Sequence, residues 1–185
     1  MIYFTDESCD LDINDALALI EFASTDKTRT SLGVGISNGN LCATDGHSLL
    51  RFNVACAPDT DGLGRAASMH GQVWSRDYVV QQVKVAKATK RAVRLMYSAF
   101  TGGKFPPVDQ VVPKPGFGKS RKPTGFDASL VARLVSVCKA LTPAGKGRKA
   151  PGVLLAGNTG ELDPLLFKVA SEGRSADVVV MPMRI

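Results

Sequence analysis

The sequence repeats one local pattern three times: an amphipathic helical segment followed by short apolar segments that end in turn residues. The predicted helices span 13–24, 76–90 and 126–142, and in each the apolar residues recur at helical spacing. Each half-unit has one apolar face that it cannot bury alone, so the helices must pack against a common sheet. No sequence motif recurs between the copies. The sequence therefore predicts an α+β fold built of repeated helix-plus-antiparallel-sheet half-units.

Turn residues bound the predicted strands. Asn38-Gly39-Asn40 is a strong hairpin signal, and Asp45-Gly46 predicts a second tight turn in the returning strand. The first copy therefore has the order strand, helix and three strands, and the middle copy has fewer strands. A connector rich in Pro, Gly and Lys follows at 100–125, and its middle, 108–112, has the composition of an extended segment. The last copy has three predicted strands, at 152–157, 164–170 and 176–185.

Composition argues against several classes of protein. The 185-residue chain is 44% hydrophobic, enough for a core, and has no run of eighteen apolar residues that would predict a membrane span. The N-terminus is acidic and lacks the order of a signal peptide. Because the chain has only two histidines and no paired cysteine spacing, we do not expect a zinc site. We expect the cysteines to be reduced thiols. We therefore expect a cytoplasmic protein with no metal and no cofactor. The cysteines are Cys9, Cys42, Cys56 and Cys138.

Two segments resemble parts of enzyme sites but lack other residues that those sites need. Residues 116–120 read GFGKS, but a phosphate-binding P-loop needs a glycine where this chain has Pro113, which removes a backbone donor. His47 has Asp45 and Ser48 beside it, which in a turn is typical of local hydrogen bonding and not of a catalytic triad. The sequence therefore predicts no enzymatic activity, and a nucleotide-hydrolysing enzyme is the more remote alternative.

The basic residues form clusters on a chain whose net charge is +6, which favours an acidic partner such as nucleic acid. Contact between such residues and phosphates does not depend on base sequence. Aromatic residues make up only 6%, which argues against a stacking platform for single strands. Ordinary solvated loops are the alternative interpretation. The clusters are Lys84, Lys87, Lys90 and Arg91; Lys114, Lys119, Arg121 and Lys122; and Lys146, Arg148 and Lys149.

The apolar segment 177–185, DVVVMPMRI, has no polar residues behind it. Chain ends are usually polar and frayed unless they are held in place. Val178–Val180 therefore form a strand paired into a sheet, or Met181–Ile185 line a surface that another molecule fills, or both.

Three segments, taken in order, resemble signature stretches of the bacterial sliding clamp, the beta subunit of DNA polymerase III. ATDGHSLL at 43–50 resembles an ATDGHRL turn in the family's middle domain. GKFPPVDQVVPK at 103–114 resembles the G-[KR]-FPDYRRVLP segment that leads to its last domain. VVMPMRI at 179–185 is nearly identical with the family's end, and TGFDASLVARLV at 124–135 resembles its last helix.

The resemblance implies a DNA-clamp fold of paired half-units, in which sheets form the outside and helices meet the DNA backbone without reading bases. Double-stranded DNA is therefore the expected non-specific partner. The expected DNA-binding residues are Lys84, Lys87, Lys90, Arg91, Lys146, Arg148 and Lys149.

The resemblance also implies an apolar groove in which the turn and the terminal segment together bind a short peptide, with Leu and Phe anchors, from a DNA polymerase or another protein with a clamp-binding motif. Methionines suit such a groove because they repack around different anchors. A buried terminal strand with no ligand is the alternative, although a proline-interrupted segment fits a plain strand poorly. The expected groove residues are Thr44, Gly46, His47, Leu49, Val179, Val180, Met181, Pro182, Met183, Arg184 and Ile185.

The chain departs from the family in three respects. Ser48 stands where the family has arginine, and 105–113 lacks the family's tyrosine and both arginines. We expect a clamp-like domain of two half-units at 1–112, a basic linker at 113–123 and a further half-domain at 124–185. Because a family subunit has six half-units and this sequence shows three, a homo-oligomeric ring would need four copies instead of two.

Overall fold

A computed structural model describes residues 2–53, 67–113, 116–117, 129–142, 151–158, 164–171 and 173–181. The α-helices that lie wholly within these ranges are α1 (Ile13–Phe22), α2 (Arg76–Thr89) and α3 (Ser129–Leu141). Two short 3₁₀ helices lie at Tyr97–Ala99 and Val108–Gln110. The strands are β1 (Ile2–Phe4), β2 (Ser8–Leu11), β3 (Val34–Ser37), β4 (Asn40–Thr44), β5 (Ser48–Asn53), β6 (Val73–Trp74), β7 (Val93–Met96), β8 (Gly116–Phe117), β9 (Gly152–Asn158), β10 (Leu165–Ser171) and β11 (Arg174–Val180).

The described strands form two sheets. The larger has eight strands in the order β6-β3-β4-β5-β11-β10-β9-β8, and the smaller has three in the order β1-β2-β7. All neighbouring pairs are antiparallel except β8 and β9, which are parallel. In the larger sheet, β5 pairs with β11 over six residues, from Ser48 opposite Val180 to Asn53 opposite Ser175. This pairing joins the strands after α1 to the strands after α3.

The hairpin between β3 and β4 has the two-residue turn that its sequence predicts. Ser37 pairs with Asn40, and Asn38 and Gly39 both have positive φ, of 46° and 75°. Two consecutive residues with positive φ are typical of the type I′ turn, which matches the twist of the strands on either side. The predicted hairpin is therefore confirmed.

Helices α1 and α3 pack on the large sheet, α1 also packs against both α2 and α3, and α2 packs against β7 of the small sheet. Because it is covered on both flanks, α1 buries most of its residues, including the carboxylate of Asp15, which is 2.7 Å from Nη2 of Arg174. The apolar stripe of α2 is buried at Val79, Val83 and Ala86. The stripe of α3 is buried at Leu130, Val137 and Leu141, so both stripes face the core as their spacing predicts.

Three local predictions differ from the structure. The first copy begins with a hairpin, β1 and β2, and not with a single strand. Residues 108–110 form a 3₁₀ helix and are not extended, since the backbone N–H groups of Val111 and Val112 both donate to the carbonyl of Val108. Within the predicted linker, Gly116–Phe117 pairs with the end of β9.

Candidate partner-docking site

The turn between β4 and β5 is held by a dense set of local hydrogen bonds. Oδ1 of Asp45 accepts from the backbone N–H groups of His47 and Ser48, at 2.9 and 2.8 Å, and from Oγ of Ser48 at 3.1 Å. Oγ1 of Thr44 donates to the carbonyl of Ser48 at 2.8 Å and accepts from the N–H of Gly46 at 3.1 Å. Gly46 has a φ of 92°, which L side chains rarely adopt. These are local turn contacts and leave His47 exposed.

Arg133 of α3 reaches this turn from the helix layer, and sequence reasoning missed it. Its Nη1 lies 2.6 Å from Oδ2 of Asp45 and also contacts Oγ of Ser48. Its guanidinium carbon lies 5.6 Å from the centre of the Phe22 ring on α1. A sequence signal exists, because Arg133 follows Leu130 by three residues and therefore shares the buried face of α3.

Asp45 is held in its ionised form. Burial alone opposes the charge on this carboxyl, but the Arg133 guanidinium and the backbone N–H groups of His47 and Ser48 outweigh burial, so the pKa of Asp45 is lowered. The contribution of this carboxylate to stability is therefore complete above its ordinary pKa of about 4 and is lost only as the pH falls below that value. At neutral pH, the turn keeps its full set of acceptors.

The terminal segment lies directly beside this turn. Ser48 and Leu49 of β5 are opposite Val180 and Val179 of β11, and the backbone N–H of Met181 donates to the carbonyl of His47 at 3.0 Å. The structure therefore brings together the described parts of the two segments for which the resemblance implies a groove. Pro182, Met183, Arg184 and Ile185 lie outside the described residues.

The predicted groove residues divide into buried and exposed groups. Gly46 and His47 are exposed, and 43% of Met181 is exposed. Leu49 and Val179 point to the face of the sheet opposite the helices, where they belong to a second buried cluster. The surface that the described residues offer to a partner is therefore centred on the turn and Met181. The buried members of the predicted groove are Thr44, Leu49, Val179 and Val180.

This second cluster, the outer cluster, is covered by the connector. It consists of Cys42, Leu49, Val73, Phe105, Val108, Leu166 and Val179, with Val112 packed against it. Phe105 is 2% exposed, and a Cβ added at Gly35 of β3 would overlap its ring. Only a glycine at that position lets the ring lie this close to the strand. The segment 105–112 is thus the lid of the outer cluster, a role that was not predicted.

A network of charged side chains fixes the connector to both halves of the large sheet. Arg51 of β5 is opposite Asp177 of β11, and its Nε donates to Oδ2 of Asp177 at 3.1 Å. Its Nη1 donates to Oδ1 of Asp109 in the connector, also at 3.1 Å. Oδ2 of Asp109 accepts from the side-chain amide of Asn38. Since Asp177 is 3% exposed, the Arg51–Asp177 pair is a buried ion pair.

The described half of the predicted DNA surface lies at the C-terminal end of α2. Lys84, Lys87, Lys90 and Arg91 are all exposed, and within the described residues no ion pair links them to an acidic side chain. Lys90 caps the helix in the left-handed conformation, with a φ of 55°. The other predicted residues, Lys146, Arg148 and Lys149, lie outside the described residues.

The described part of the chain shows neither a metal-binding cluster nor a membrane-spanning helix. No group of three or more His, Cys, Asp and Glu side chains among the described residues is arranged to hold a metal ion. None of the described helices has the length and apolar character needed to cross a membrane.

The described cysteines Cys9, Cys42 and Cys138 are free thiols, and burial raises the pKa of each, most of all for Cys9 and Cys42.

Comparison with known proteins gives a structural likeness alone. No family model matches the chain, and no curated protein matches it in sequence. Among solved structures, it is similar to the beta sliding clamp of C. crescentus, with a TM-score of 0.52 and 16% identity over 97% of this chain. The chain spans 66% of that clamp's length, and in that crystal structure polyethylene glycol occupies the region ascribed to beta-motif tethering. The mixed helix and antiparallel-sheet fold of this chain is therefore similar to that of a bacterial sliding clamp.

Proposed function

We propose that this chain is a shortened, non-enzymatic processivity factor of the sliding-clamp kind. It binds double-stranded DNA without sequence specificity and docks short peptides from a DNA polymerase or another protein with a clamp-binding motif. The observation that carries the proposal is the pairing of β5 with β11, because it places the 44–49 turn against Val179–Met181. The similarity of the fold to a sliding clamp supports the same conclusion.

Among the described residues the docking surface consists of Gly46, His47 and Met181, and the predicted groove also includes Pro182–Ile185, which lie outside them. An exposed methionine gives an adaptable apolar contact of the kind that accepts different peptide anchors. Beside it lies the outer cluster, whose members Leu49 and Val179 are buried. The surface suits a short peptide with apolar anchors.

Deleting Met181–Ile185 is expected to abolish binding of a peptide with Leu and Phe anchors. The deletion removes the exposed methionine and the segment that follows it but leaves every paired residue of β11 in place. Fluorescence anisotropy of a labelled peptide measures the affinity, and circular dichroism measures the helix content, which should be unchanged.

The matched control for this deletion is Leu154→Ser on β9. Leu154 is 61% exposed, so the change removes apolar surface of the same kind far along the sheet from β5. Peptide affinity should be unaffected by it. An affinity that survives the terminal deletion would contradict the docking surface.

The DNA part of the proposal rests on the exposed end of α2. Lys84 and Lys87 lie nearly one turn apart on its solvent side, and Lys90 and Arg91 follow at the C-terminus. A left-handed conformation at this cap favours glycine, and a residue with a Cβ there costs about 1 kcal/mol. Lys90 adopts this conformation despite the cost, and its positive charge at the helix end lies beside the three other cations.

Replacing Lys84 and Lys87 together with glutamine should weaken DNA binding in a way that depends on salt. Removing one bond to a phosphate lowers the slope of log K against log salt by about 1, so the double variant should lower it by about 2. Filter binding at several salt concentrations measures the slope. Lys27→Gln is the control, because Lys27 is exposed near the opposite end of α2 and is paired with Asp77. Equal slopes for wild type and the double variant would remove α2 from the DNA surface.

A second function is consistent with the same docking surface. That function is a regulator or decoy that occupies clamp-binding peptides without encircling DNA. Retention on circular DNA that disappears when the circle is cut supports the processivity factor. Peptide binding without such retention supports the decoy. A molar mass in light scattering of only one chain at working concentration would exclude a closed ring.

A further inference from the structure

Arg133 connects three separate parts of the molecule through one side chain. It belongs to α3, its Nη1 contacts both Asp45 and Ser48 in the turn, and its guanidinium lies over Phe22 of α1. The side chain is 27% exposed, so the ion pair with Asp45 is largely screened from water by the protein. Partly buried pairs of this kind are stronger than exposed ones, and a charge-assisted hydrogen bond also fixes direction.

The carboxylate of Asp45 divides its two oxygens between the turn and the helix. Oδ1 accepts three local hydrogen bonds, from His47 and Ser48, whereas Oδ2 accepts from Arg133. The bonds at Oδ1 shape the turn, and the bond at Oδ2 fixes the shaped turn to α3. Without Arg133, the turn would lose its side-chain bond to α3, and the local bonds at Oδ1 would then protect a less firmly held turn.

The position of the turn also sets the position of the terminal segment. In the turn, the carbonyl of His47 accepts a hydrogen bond from the backbone N–H of Met181, the first residue beyond β11. The contacts therefore run in series from Arg133 to Asp45, from Asp45 to His47, and from His47 to Met181. Gly46, His47 and Met181 are the exposed residues of the docking surface, and this series ends on them.

We propose that Arg133 is a positioning residue for the docking surface, which fixes the turn and the start of the terminal segment in the geometry that binds a peptide. The expected effect of Arg133 on peptide binding rests on the proposed function. The series of contacts does not depend on that function. Arg133 acts through Asp45 and does not itself bind the peptide. It also brings a guanidinium to the hydroxyl of Ser48, the position at which the resembled turn carries its own arginine.

The first measurement tests the position of the turn directly. Amide hydrogen exchange should be faster at His47, Ser48 and Met181 in Arg133→Gln than in the wild type, with little change in the cores of α1 and α2. Arg133→Lys, which keeps the charge, should restore part of the protection. The control is Lys139→Gln, an exposed position on the same helix, which should leave exchange at the turn unchanged. Unchanged exchange in Arg133→Gln would overturn the proposal.

The second measurement tests the consequence for binding. A synthetic peptide with Leu and Phe anchors should bind Arg133→Gln about tenfold more weakly, the effect of one charge-assisted hydrogen bond. The double variant Ser48→Arg with Arg133→Ser returns an arginine to the turn and should recover most of the affinity. Wild-type affinity in Arg133→Gln would overturn the role in docking. If the wild type itself does not bind the peptide, the proposed function fails, and the exchange measurement still decides whether Arg133 positions the turn.

Discussion

Replacing Arg51 with methionine is expected to lower the free energy of unfolding by about 3–5 kcal/mol, because it leaves a buried carboxylate without its partner. Arg51 donates from Nε and Nη2 to Asp177, which is 3% exposed, and from Nη1 to Asp109. Methionine keeps the apolar stem but provides no hydrogen bond donor. Urea unfolding followed by circular dichroism measures the change.

A rescue variant separates the loss of a partner from the loss of packing. Removing both charges of a buried pair in favour of apolar side chains is often close to neutral. The double variant Arg51→Met with Asp177→Leu should therefore recover most of the stability that Arg51→Met removes. Arg94→Met is the control, since Arg94 is 64% exposed in its pair with Asp10, and such pairs contribute about 0–1 kcal/mol. A loss in Arg51→Met no larger than in Arg94→Met would show that the buried pair does not stabilise the sheet junction.

Replacing Phe105 with alanine is expected to lower the free energy of unfolding by about 3–5 kcal/mol and to open the outer cluster. The Phe105 ring lies against Gly35 and belongs to the same buried cluster as Cys42, Leu49 and Val179. Its removal leaves a cavity that the proline-rich connector cannot readily fill. Urea unfolding measures the stability.

Cys42 reports whether the lid has opened. It is fully buried, and burial raises the pKa of its thiol, so the thiolate that reacts with alkylating reagents is scarce in the folded chain. In Phe105→Ala, alkylation of Cys42, followed by peptide mass spectrometry, should be faster than in the wild type. Val85→Ala, at a residue 47% exposed on α2, should change neither stability nor labelling. Equal protection of Cys42 in Phe105→Ala and wild type would show that the ring is not the lid.

Local signals in the sequence predicted the elements well. The 3.6-residue spacing of Val79, Val83 and Ala86 places these residues on the buried face of α2, because a helix in such a layer must hide one stripe. Asn38-Gly39 predicts its hairpin since both residues tolerate positive φ. These signals act over a few residues. Strands as short as β1 and β2 give too weak a signal, and their hairpin was therefore not predicted.

Which strands pair across long distances was not readable from local patterns. The neighbouring positions of the turn and the terminal segment were expected from the resemblance alone, because nothing in either segment specifies β5 as the partner of β11. One sequence signal of the lid was available. Leu49 and Leu50 on β5, like Val178 and Val179 on β11, put apolar side chains on both faces of the sheet. Strands with two apolar faces are covered on both sides.

The pairing of β5 with β11 has a consequence for how the chain folds during synthesis. The β3–β4–β5 ribbon emerges from the ribosome long before its neighbour, so β5 presents an unpaired edge of backbone donors and acceptors throughout that interval. Contacts between such distant segments slow folding, because the loop between them must close first. The nascent chain therefore carries an exposed strand edge, which favours aggregation, until β11 has been synthesised and pairs with β5.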